Sequence, residues 1–469
     1  MFRSTMKTVV AFMICTVMLA GMLPLNSQAA VLWEEDTLSS VYDPQGNYYT
    51  YAPTIIRDGN IEHMWTCHNA EEGVFRDHIY YTKRVDGIVT ESRSVLPPGA
   101  SEAWDSYHVC DPTVLGGKFL FDGSEYDYAM FYLGNDVDGV HHNQIGVAFS
   151  NDLEGDWTRY PNPIVSYPND GFWGVGQPSA TSVDGQGHLL LFYTRGDPEM
   201  TAGYRIELNL RDMSAPVIGE PLRLTVDGLK DLNGEQDWFN NFDVTYDPSR
   251  DRFYAVRDVH PFPSNVPGYI TRGVQIVSIE GSSVWGGGGT WKVEGTLNTA
   301  VTGFPRNHNA GLLRTPFGTL PEPDKVEVYF ADSAEAPNLI GEAEFTYDIW
   351  RMEGALNEAN PVVTAEIANM SKRHLSVLAL VTDLNTNVTE LQGITTWRSS
   401  GFWIGYRLFD EEGYLLEAGT AYKDRVKADG SFTIPVNMPN VQVESVKLEV
   451  YLLSPEGRRV TRVAGMIDL

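Results

Sequence analysis

The sequence predicts an all-β protein in which a five-bladed β-propeller is followed by an immunoglobulin-like β-sandwich. A polar-to-apolar step into a strand recurs around Pro53, Pro112, Pro178, Asp243 and Asn309, at intervals of 59 to 66 residues. A period of that size, with strand-like content in every unit, indicates a repeat architecture. After residue 354 the period stops, and about seven short strands follow in roughly 110 residues, as in a β-sandwich.

The first 30 residues have the pattern of an export signal. Arg3 and Lys7 supply a positive start, an apolar run extends from Thr8 to Leu25, and Ser27-Gln28-Ala29 is a small-residue cleavage motif. We therefore expect residues 1–30 to be removed and the protein to be secreted. No later run approaches the roughly 18 apolar residues of a membrane span.

Each repeat contains about four short strands that alternate in polarity and are bounded by Gly, Asp or Asn, with little helical periodicity. This pattern favours a propeller domain over residues 31–354. The stretch Val31-Leu32-Trp33 precedes the first repeat, and we expect it to pair with the last repeat and close the ring. The first strand of each blade lines the central channel, so the strand starts should form one axial pocket. Residues 361–469 are the predicted sandwich domain.

Composition restricts the partners and leaves the state of the cysteines open. The chain has 469 residues, 42% hydrophobic content and a formal net charge of -28. Such an excess of acidic residues argues against a nucleic acid partner, because a phosphate backbone is held by clustered Lys and Arg. Cys67 and Cys110 lie beside inner-strand positions of neighbouring repeats, where they form either a disulfide or two buried thiols.

Two stretches resemble calcium-binding loops, but neither has the full set of ligand positions. Asn135 to Gly139 and Asp231 to Glu235 alternate oxygen side chains before or around a Gly, which fits either a Ca²⁺ loop or a plain turn. There is no His-Glu-x-x-His, no phosphate-binding glycine loop and no paired Cys motif. We therefore assign no metal ligand and no firm cofactor, with Ca²⁺ as the alternative.

Three motifs in the first half of the chain point to a known family. They are Cys110-Asp111-Pro112-Thr113, the strand Met130-Phe131-Tyr132, and the run from Ile145 to Trp157 with Gly, Ala, Ser, Asp and Trp in that order. Over about residues 45 to 352 the chain resembles the β-fructosidase-like superfamily of family 43 and family 32 glycoside hydrolases. The resemblance implies a five-bladed propeller that cleaves glycosidic bonds with carboxylates on its first three blades.

Only one of those three carboxylate positions is retained. Asp111 matches the second position, whereas Ala52 stands at the first, where the family has Asp, and Gln177 at the third, where it has Glu. Neither Ala nor Gln can donate or take the required proton. Two readings stay open: other channel residues do the chemistry, or the pocket binds a glycan without cutting it.

We expect the candidate residues to gather at one end of the axis and to bind an oligo- or polysaccharide. Carboxylates near strand starts are the catalytic candidates, and aromatic, imidazole, guanidinium and amide groups are the candidate sugar binders. The catalytic candidates are Asp111, Asp243 and Glu235, and the binding candidates are His108, Gln177, Trp173, Trp238, Arg257, His260, His308 and Asn309. A glycoside hydrolase is the leading hypothesis. A noncatalytic glycan-binding or surface-scaffold protein is the alternative, and a protein-interaction propeller is a third.

Overall fold

The computed structural model describes the propeller region over residues 31–137, 141–197, 200–263, 270–335 and 343–356. Further along, it describes residues 362–366, 371–372, 375–383, 388–396, 402–409, 415–422, 426–427, 431–436, 445–455 and 458–468. The expected export signal lies outside the described residues. The described chain divides into two compact units. No helix in the described ranges is long and apolar enough to cross a membrane.

The first unit is a ring of five antiparallel blades, as the repeat predicts. Its first three blades follow the chain in order. Blade 1 consists of β2 (Thr50–Asp58), β3 (Ile61–Asn69), β4 (Asp77–Val85) and β5 (Ile88–Leu96). Blade 2 consists of β6 (His108–Phe121), β7 (Ser124–Asn135), β8 (Gln144–Ser150) and β9 (Thr158–Arg159). Blade 3 consists of β10 (Val175–Ser182), β11 (His188–Gly196), β12 (Thr201–Asn209) and β13 (Val217–Ile218), with β14 (Leu222–Arg223) also pairing with β12.

The last two blades complete the ring. Blade 4 consists of β15 (Phe242–Asp247), β16 (Arg252–Asp258), β17 (Gly273–Glu280) and β18 (Lys292–Asn298), with the short helices α1 (Gly281–Gly286) and α2 (Thr299–Thr302) on either side of β18. Blade 5 consists of β19 (Arg306–Arg314), β20 (Lys325–Ser333), β21 (Ile349–Leu356) and β1 (Val31–Tyr42). The prediction that the segment around Val31 closes the ring is confirmed, because Val31 pairs with Leu356 and Trp33 with Gly354.

The hydrophobic core lies between successive blades, because each sheet has two faces that must be covered. Phe131 and Phe149 of blade 2 are fully buried in one cluster with Leu191 and Ile206 of blade 3. Similar clusters join blade 3 to blade 4, blade 4 to blade 5, and blade 1 to blade 2. Blades packed in this way hold their inner strands around one axis, and the candidate site is built there.

The second unit has two antiparallel sheets with a shared apolar core. Its strands are β22 (Val362–Glu366), β23 (Ser371–Lys372), β24 (Leu375–Asp383), β25 (Val388–Thr395), β26 (Trp403–Phe409), β27 (Leu415–Tyr422), β28 (Ser431–Val436), β29 (Ser445–Leu453) and β30 (Arg459–Asp468). One sheet runs β22, β24, β25, β28, with β23 beside β24, and the other runs β27, β26, β29, β30. Buried Leu391 and Ile434 of the first sheet share a cluster with Leu408 and Leu448 of the second. The two-sheet arrangement fits the sandwich prediction, and its immunoglobulin-like character stays a prediction.

Candidate active site

Five equivalent residues at the starts of the inner strands share one unusual backbone conformation. Their φ angles are 49° at Ala52, 46° at Asp111, 53° at Gln177, 41° at Asn241 and 46° at Asn309. L-residues avoid this left-handed region, at a cost of roughly 1–2 kcal/mol each, except that Asn and Asp tolerate it better. Such strain tends to persist where the surroundings enforce it at functional sites. We call these five the blade-start residues.

The left-handed residues belong to β-bulges that aim their side chains at the axis. In four blades the strand pairing is interrupted at the blade start, for instance between Cys110 and Thr113 and between Gly176 and Ser179. A bulge leaves one or two residues unpaired and bends the strand. All five blade-start residues line a narrow cavity on the axis. All except Ala52 also line the wide cavity that opens from it, so they form its floor.

The fourth blade start is Asn241. The sequence register that aligned Asp243 with Pro112 and Pro178 is wrong by one residue, because Phe242 is the structural equivalent of those prolines. Asp243 lies further along the inner strand, on the narrow axial cavity and outside the lining of the wide one. Its Oδ1 accepts a hydrogen bond from Ser179 Oγ (2.7 Å), and its Oδ2 accepts one from the backbone N–H of Leu312 (2.9 Å). Arg314 Nη1 lies 3.2 Å from Oδ1. Asp243 is therefore placed to join inner strands from blades 3, 4 and 5.

The wide cavity has a volume of about 830 Å³ and mixed aromatic and amide walls. Aromatic side chains surround it on several blades: Tyr49, Tyr51, Phe75, Tyr107, Trp173, Phe262 and Tyr347. Tyr49, Tyr51 and Tyr347 contact one another with ring centroids 6.0 to 6.4 Å apart. Aromatic faces next to hydrogen-bonding amides suit a ligand with apolar C–H faces and many hydroxyls.

Two carboxylates face this cavity close to Cys110. Asp111 is on the floor, and Asp77 at the start of β4 is in the wall and almost fully buried. Each has an oxygen within 4.8 Å of Cys110 Sγ. Tyr51 Oη donates a 2.7 Å hydrogen bond to Asp77 Oδ2, and Tyr49 Oη donates one to Oδ1. Burial and the negative charge of Asp77 raise the pKa of Asp111 to about 7, although a backbone N–H from Gln177 opposes the shift.

Cys67 and Cys110 form a disulfide, which decides between the two alternatives left by the sequence. It connects β3 of blade 1 to β6 of blade 2, immediately before Asp111. The backbone N–H of Asp111 donates to Cys67 Sγ at 2.9 Å. Asp111 Oδ1 lies 3.4 Å from Cys110 Sγ and 3.7 Å from Cys67 Sγ. These sulfur–oxygen approaches are contacts without a hydrogen bond, because a disulfide carries no S–H.

A chain of amide hydrogen bonds links the remaining floor residues. The backbone N–H of Asn241 donates to Gln177 Oε1 (3.0 Å), and Asn241 Nδ2 donates to Asp258 Oδ2 (2.7 Å). Asp258 Oδ1 accepts the backbone N–H of Asn309 (2.9 Å). Burial raises the pKa of Asp258 to about 7, although these two donors oppose the shift. The network holds the side-chain amides of Gln177 and Asn241 and the backbone of Asn309 in place.

The structure brings some of the predicted binding residues together at the cavity. Trp173, Gln177 and Asn309 line it, and so does His108, whose Nδ1 lies 3.5 Å from Asp77 Oδ2. His308 lies behind the wall, fully buried, with its ring 4.7 Å from Tyr347 and its Nδ1 2.6 Å from Asn309 Oδ1. Burial lowers the pKa of His308 to about 4, so its imidazole is neutral at pH 7.

Four other predicted residues lie outside the lining of the cavity. Arg257 is fully buried in blade 4, where its Nη1 is 2.6 Å from Asp237 Oδ2. His260 Nδ1 is 2.7 Å from Asp237 Oδ1, and its ring packs between Trp238 and Phe262. Burial opposes ionisation of Asp237, yet the hydrogen bond from His260 and the charge of Arg257 lower its pKa to about 2. Glu235 is exposed in a turn, and its backbone N–H donates to Asp231.

In the described residues of the two potential calcium loops, the structure shows no arrangement of Ca²⁺ ligands. The carboxylate of Asp231 accepts backbone N–H groups of Asn233 and Glu235, as in a tight turn. In the other loop, Asp138 and Gly139 lie outside the described residues, so that hypothesis stays a prediction. Among the described residues, the two groups of potential ligands with suitable spacing both depend on Cys110. A disulfide sulfur is not a thiolate ligand, so neither group is complete.

Sequence reasoning missed Asp77, Tyr49 and Tyr51. Asp77 starts the third strand of its blade, away from the repeated strand starts on which the prediction was based. Tyr49 and Tyr51 precede the blade start Ala52 at alternating positions, so both could face one side of a strand. That alternation was the signal available, and only the folded blade shows that both hydroxyls reach one carboxylate.

Comparison with known proteins gives structural similarity only. No protein-family model matches this sequence, and no curated protein sequence matches it. The α-L-arabinofuranosidase of Podospora anserina in complex with cellotriose is 13% identical, with a TM-score of 0.47 over 71% of this chain and 99% of its own. A thermostable family-43 glycoside hydrolase is 13% identical, with a TM-score of 0.44 over 67% of this chain and 92% of its own.

A third similar structure belongs to another glycoside hydrolase family. The catalytic domain of the family-62 α-L-arabinofuranosidase of Coprinopsis cinerea is 12% identical, with a TM-score of 0.44 over 70% of this chain and 98% of its own. Families 43 and 62 of the glycoside hydrolases, which have five-bladed propellers, are therefore both represented among the structures similar to this chain.

Proposed function

We propose that this protein binds a glycan in the wide axial cavity and hydrolyses a glycosidic bond there with Asp111 and Asp77. One observation carries the proposal: Asp111, with a pKa raised to about 7, faces an aromatic and amide-lined cavity beside a second carboxylate. Glycoside hydrolysis uses two carboxyl groups, one protonated for the leaving oxygen and one ionised.

Asp111 is the proposed general acid. A carboxyl group that titrates near pH 7 still holds its proton in much of the protein at neutral pH, and it can pass that proton to the glycosidic oxygen as the bond to the anomeric carbon breaks. Asp77 is the proposed second carboxylate, held in place by Tyr49 and Tyr51. Water supplies the hydroxyl for the anomeric carbon and the proton that restores Asp111.

The rest of the cavity is proposed to bind the sugar. Gln177, Asn241 and Asn309 present amide groups on the floor, and they can both donate to and accept from hydroxyl groups. Trp173 and Phe262 offer ring faces on which the C–H face of a pyranose or furanose can pack. Asp258 accepts the side-chain amide of Asn241 and the backbone N–H of Asn309 from behind, so the floor is ordered before a ligand arrives.

The test is hydrolysis of a panel of oligosaccharides, including xylotriose and cellotriose, by wild type, Asp111→Asn and Asp77→Asn. We expect each substitution to lower kcat by about 10² to 10⁴-fold, the usual contribution of general acid–base catalysis. Asp122→Asn is the matched control, because Asp122 is an exposed turn residue and Asn also tolerates its left-handed backbone. Full activity in both site variants would remove the two carboxylates from the mechanism.

A noncatalytic glycan-binding protein is the second candidate function. Ala52 and Gln177 favour it, because the blade-start positions where the resemblance implies carboxylates hold a methyl group and an amide. Isothermal titration calorimetry with the same oligosaccharides separates the two functions. Binding of a sugar by wild type without product after long incubation would establish this second function and reject hydrolysis.

We also propose that the protein is exported after removal of residues 1–30. A disulfide between Cys67 and Cys110 supports this, because such bonds persist in oxidising compartments. N-terminal sequencing of protein recovered outside the producing cells should begin at Val31. An intact N-terminus on cell-retained protein would contradict export.

A further inference from the structure

The disulfide occupies a position next to Asp111 that other blades fill with polar side chains. The backbone N–H of a blade-start residue has no partner in the strand ladder, and that group needs another acceptor. The N–H of Asn241 finds Gln177 Oε1, and the N–H of Asn309 finds Asp258 Oδ1. The N–H of Asp111 finds Cys67 Sγ. In blade 2 a sulfur therefore replaces the oxygen acceptor.

The same sulfurs lie against the carboxyl group of Asp111. Both are within 3.7 Å of Asp111 Oδ1, and both cysteines are buried. An oxygen-bearing side chain with a hydroxyl or amide at this place could donate a hydrogen bond to the carboxylate. A disulfide has no hydrogen to donate. The sulfur side of Asp111 is thus apolar, and desolvation favours the protonated form of a carboxyl group.

We propose that the Cys67–Cys110 disulfide is a positioning element for Asp111, which fixes its bulge and withholds hydrogen-bond donors from its carboxyl group. The use of Asp111 as an acid rests on the proposed function, whereas its ionisation does not. Reduction of the disulfide would leave two thiols beside the carboxyl group, and an S–H donor to Oδ1 would stabilise the ionised carboxylate. The pKa of Asp111 should therefore fall on reduction.

The other groups that face Asp111 set the background for this effect. Asp77 of β4 is the charged neighbour that raises the pKa of Asp111, and β10 contributes the backbone N–H of Gln177. The other titratable residues that line the cavity are Tyr49, Tyr51, Tyr107, His108, Glu344 and Tyr347. Among the described lining residues there is no Lys or Arg. No permanent cation in the lining therefore offsets the raised pKa of Asp111. A new hydrogen-bond donor at the sulfur positions should produce a measurable fall in that pKa.

The test measures the titration of Asp111 directly. The pH dependence of its carboxyl ¹³C chemical shift, assigned by its loss in Asp111→Asn, is recorded for the oxidised full chain and for protein reduced with dithiothreitol. The dithiol supplies two electrons and two protons, giving two cysteine thiols and a cyclic disulfide of the reagent. We expect the midpoint to fall by roughly one pH unit on reduction, and an unchanged midpoint would overturn the proposal.

A matched pair of double variants separates the donor from the crosslink. Cys67→Ser with Cys110→Ser removes the crosslink and adds hydroxyl donors, whereas Cys67→Ala with Cys110→Ala removes the crosslink alone. The serine pair should titrate at lower pH than the alanine pair. Equal midpoints for the two pairs would refute the role of the missing donor. Near-UV circular dichroism checks folding, and dithiothreitol-treated wild type decides the question if a variant does not fold.

The titration midpoint of Asp111 tests the role of the disulfide separately from the proposed hydrolysis. A shifted midpoint without glycan hydrolysis would support the positioning role and reject the enzyme. Hydrolysis with an unshifted midpoint would do the opposite. In an active enzyme, the apparent pKa of the alkaline limb of the kcat/KM profile should move with the midpoint of Asp111.

Discussion

Tyr51 Oη donates a 2.7 Å hydrogen bond to Asp77 Oδ2 and lies 3.2 Å from Cys110 Sγ. One side chain of the first inner strand therefore contacts both the second carboxylate and the disulfide next to the first carboxylate. This contact connects blade 1 to the floor of the cavity, and it makes Tyr51 a sensitive position for both stability and activity.

Replacement of Tyr51 by Phe should weaken the protein and its activity together. The change removes a hydrogen bond to a buried carboxylate, and we expect a loss of about 1.5–3 kcal/mol in the free energy of unfolding. Urea denaturation measures this value, and hydrolysis or glycan affinity measures the effect on the site. Tyr126→Phe is the control, because its ring packs against Phe149 in blade 2, away from the cavity. Equal behaviour of the two variants would contradict the role of Tyr51.

Replacement of Asp243 by Asn should reduce stability and leave catalysis per folded molecule largely unchanged. The substitution leaves the buried guanidinium of Arg314 without its ionic partner, and breaking a buried pair costs about 3–5 kcal/mol. Thermal and urea unfolding give the stability, and kcat is corrected for the folded fraction. A collapse of kcat with an unchanged unfolding midpoint would show instead that Asp243 belongs to the chemistry.

The stability contributed by three carboxyl groups should fall as pH rises from about 4 to about 8. Asp111, Asp258 and Asp348 have folded-state pKa values raised to about 7 from 3.8, mainly by burial. The folded protein therefore holds protons that the unfolded chain has already released in this window, so rising pH favours unfolding at these groups. His308 acts in the opposite direction, because burial lowers its pKa from 6.5 to about 4. The test therefore compares variants: between pH 5 and pH 8 the midpoint of thermal unfolding of wild type should fall relative to that of Asp111→Asn. An equal change in wild type and Asp111→Asn would argue against a raised pKa at Asp111.

Loss of the Trp173 ring should weaken glycan binding. Trp173 lines the cavity, and an aromatic contact is worth about 0.5–1.5 kcal/mol beyond its buried area. We expect Trp173→Ala to raise the Kd for a bound oligosaccharide by about tenfold, which corresponds to about 1.4 kcal/mol. Calorimetry measures the change, with Trp285→Ala as the control, since Trp285 is an exposed residue of α1 outside the cavity lining. Comparable losses in both variants would point to a general defect.

The repeat in the sequence was sufficient to predict the propeller, because its period and strand pattern reflect one supersecondary unit repeated five times. Ring closure was also predictable, since Val31 to Trp33 had no partner within its own repeat. The register within a blade was harder to predict. Three blade starts precede a Pro, at Pro53, Pro112 and Pro178, but Phe242 and Ala310 replace it in blades 4 and 5. Without the Pro, the left-handed residue has no sequence mark, so the pattern aligns Asp243 with the prolines where Phe242 is the equivalent.

The sequence predicted three of the four floor residues and, of the other lining residues, His108 and Trp173. Asp111, Gln177 and Asn309 occur at repeated positions, so a one-dimensional pattern finds them. Asp77 and the two tyrosines that bind it come together because β2 and β4 both pair with β3 in blade 1. The spacing of these residues in the sequence does not indicate that contact. Arg257 and His260 looked like binders because charged and imidazole groups are common in sites. Asp237 instead holds both of them outside the cavity lining.

The strand that closes the ring also sets the order in which the propeller can fold. β1 precedes blade 1, yet its partner β21 ends at Leu356, so the two can pair only after all five blades have been synthesised. Contacts between such distant segments are slow to form, since a long loop must be closed before they contribute any stability. Until then, blade 5 lacks its outer strand and exposes an unpaired edge, a feature that favours aggregation. During biosynthesis, the edge of blade 5 should therefore need protection from aggregation until β1 has paired with β21.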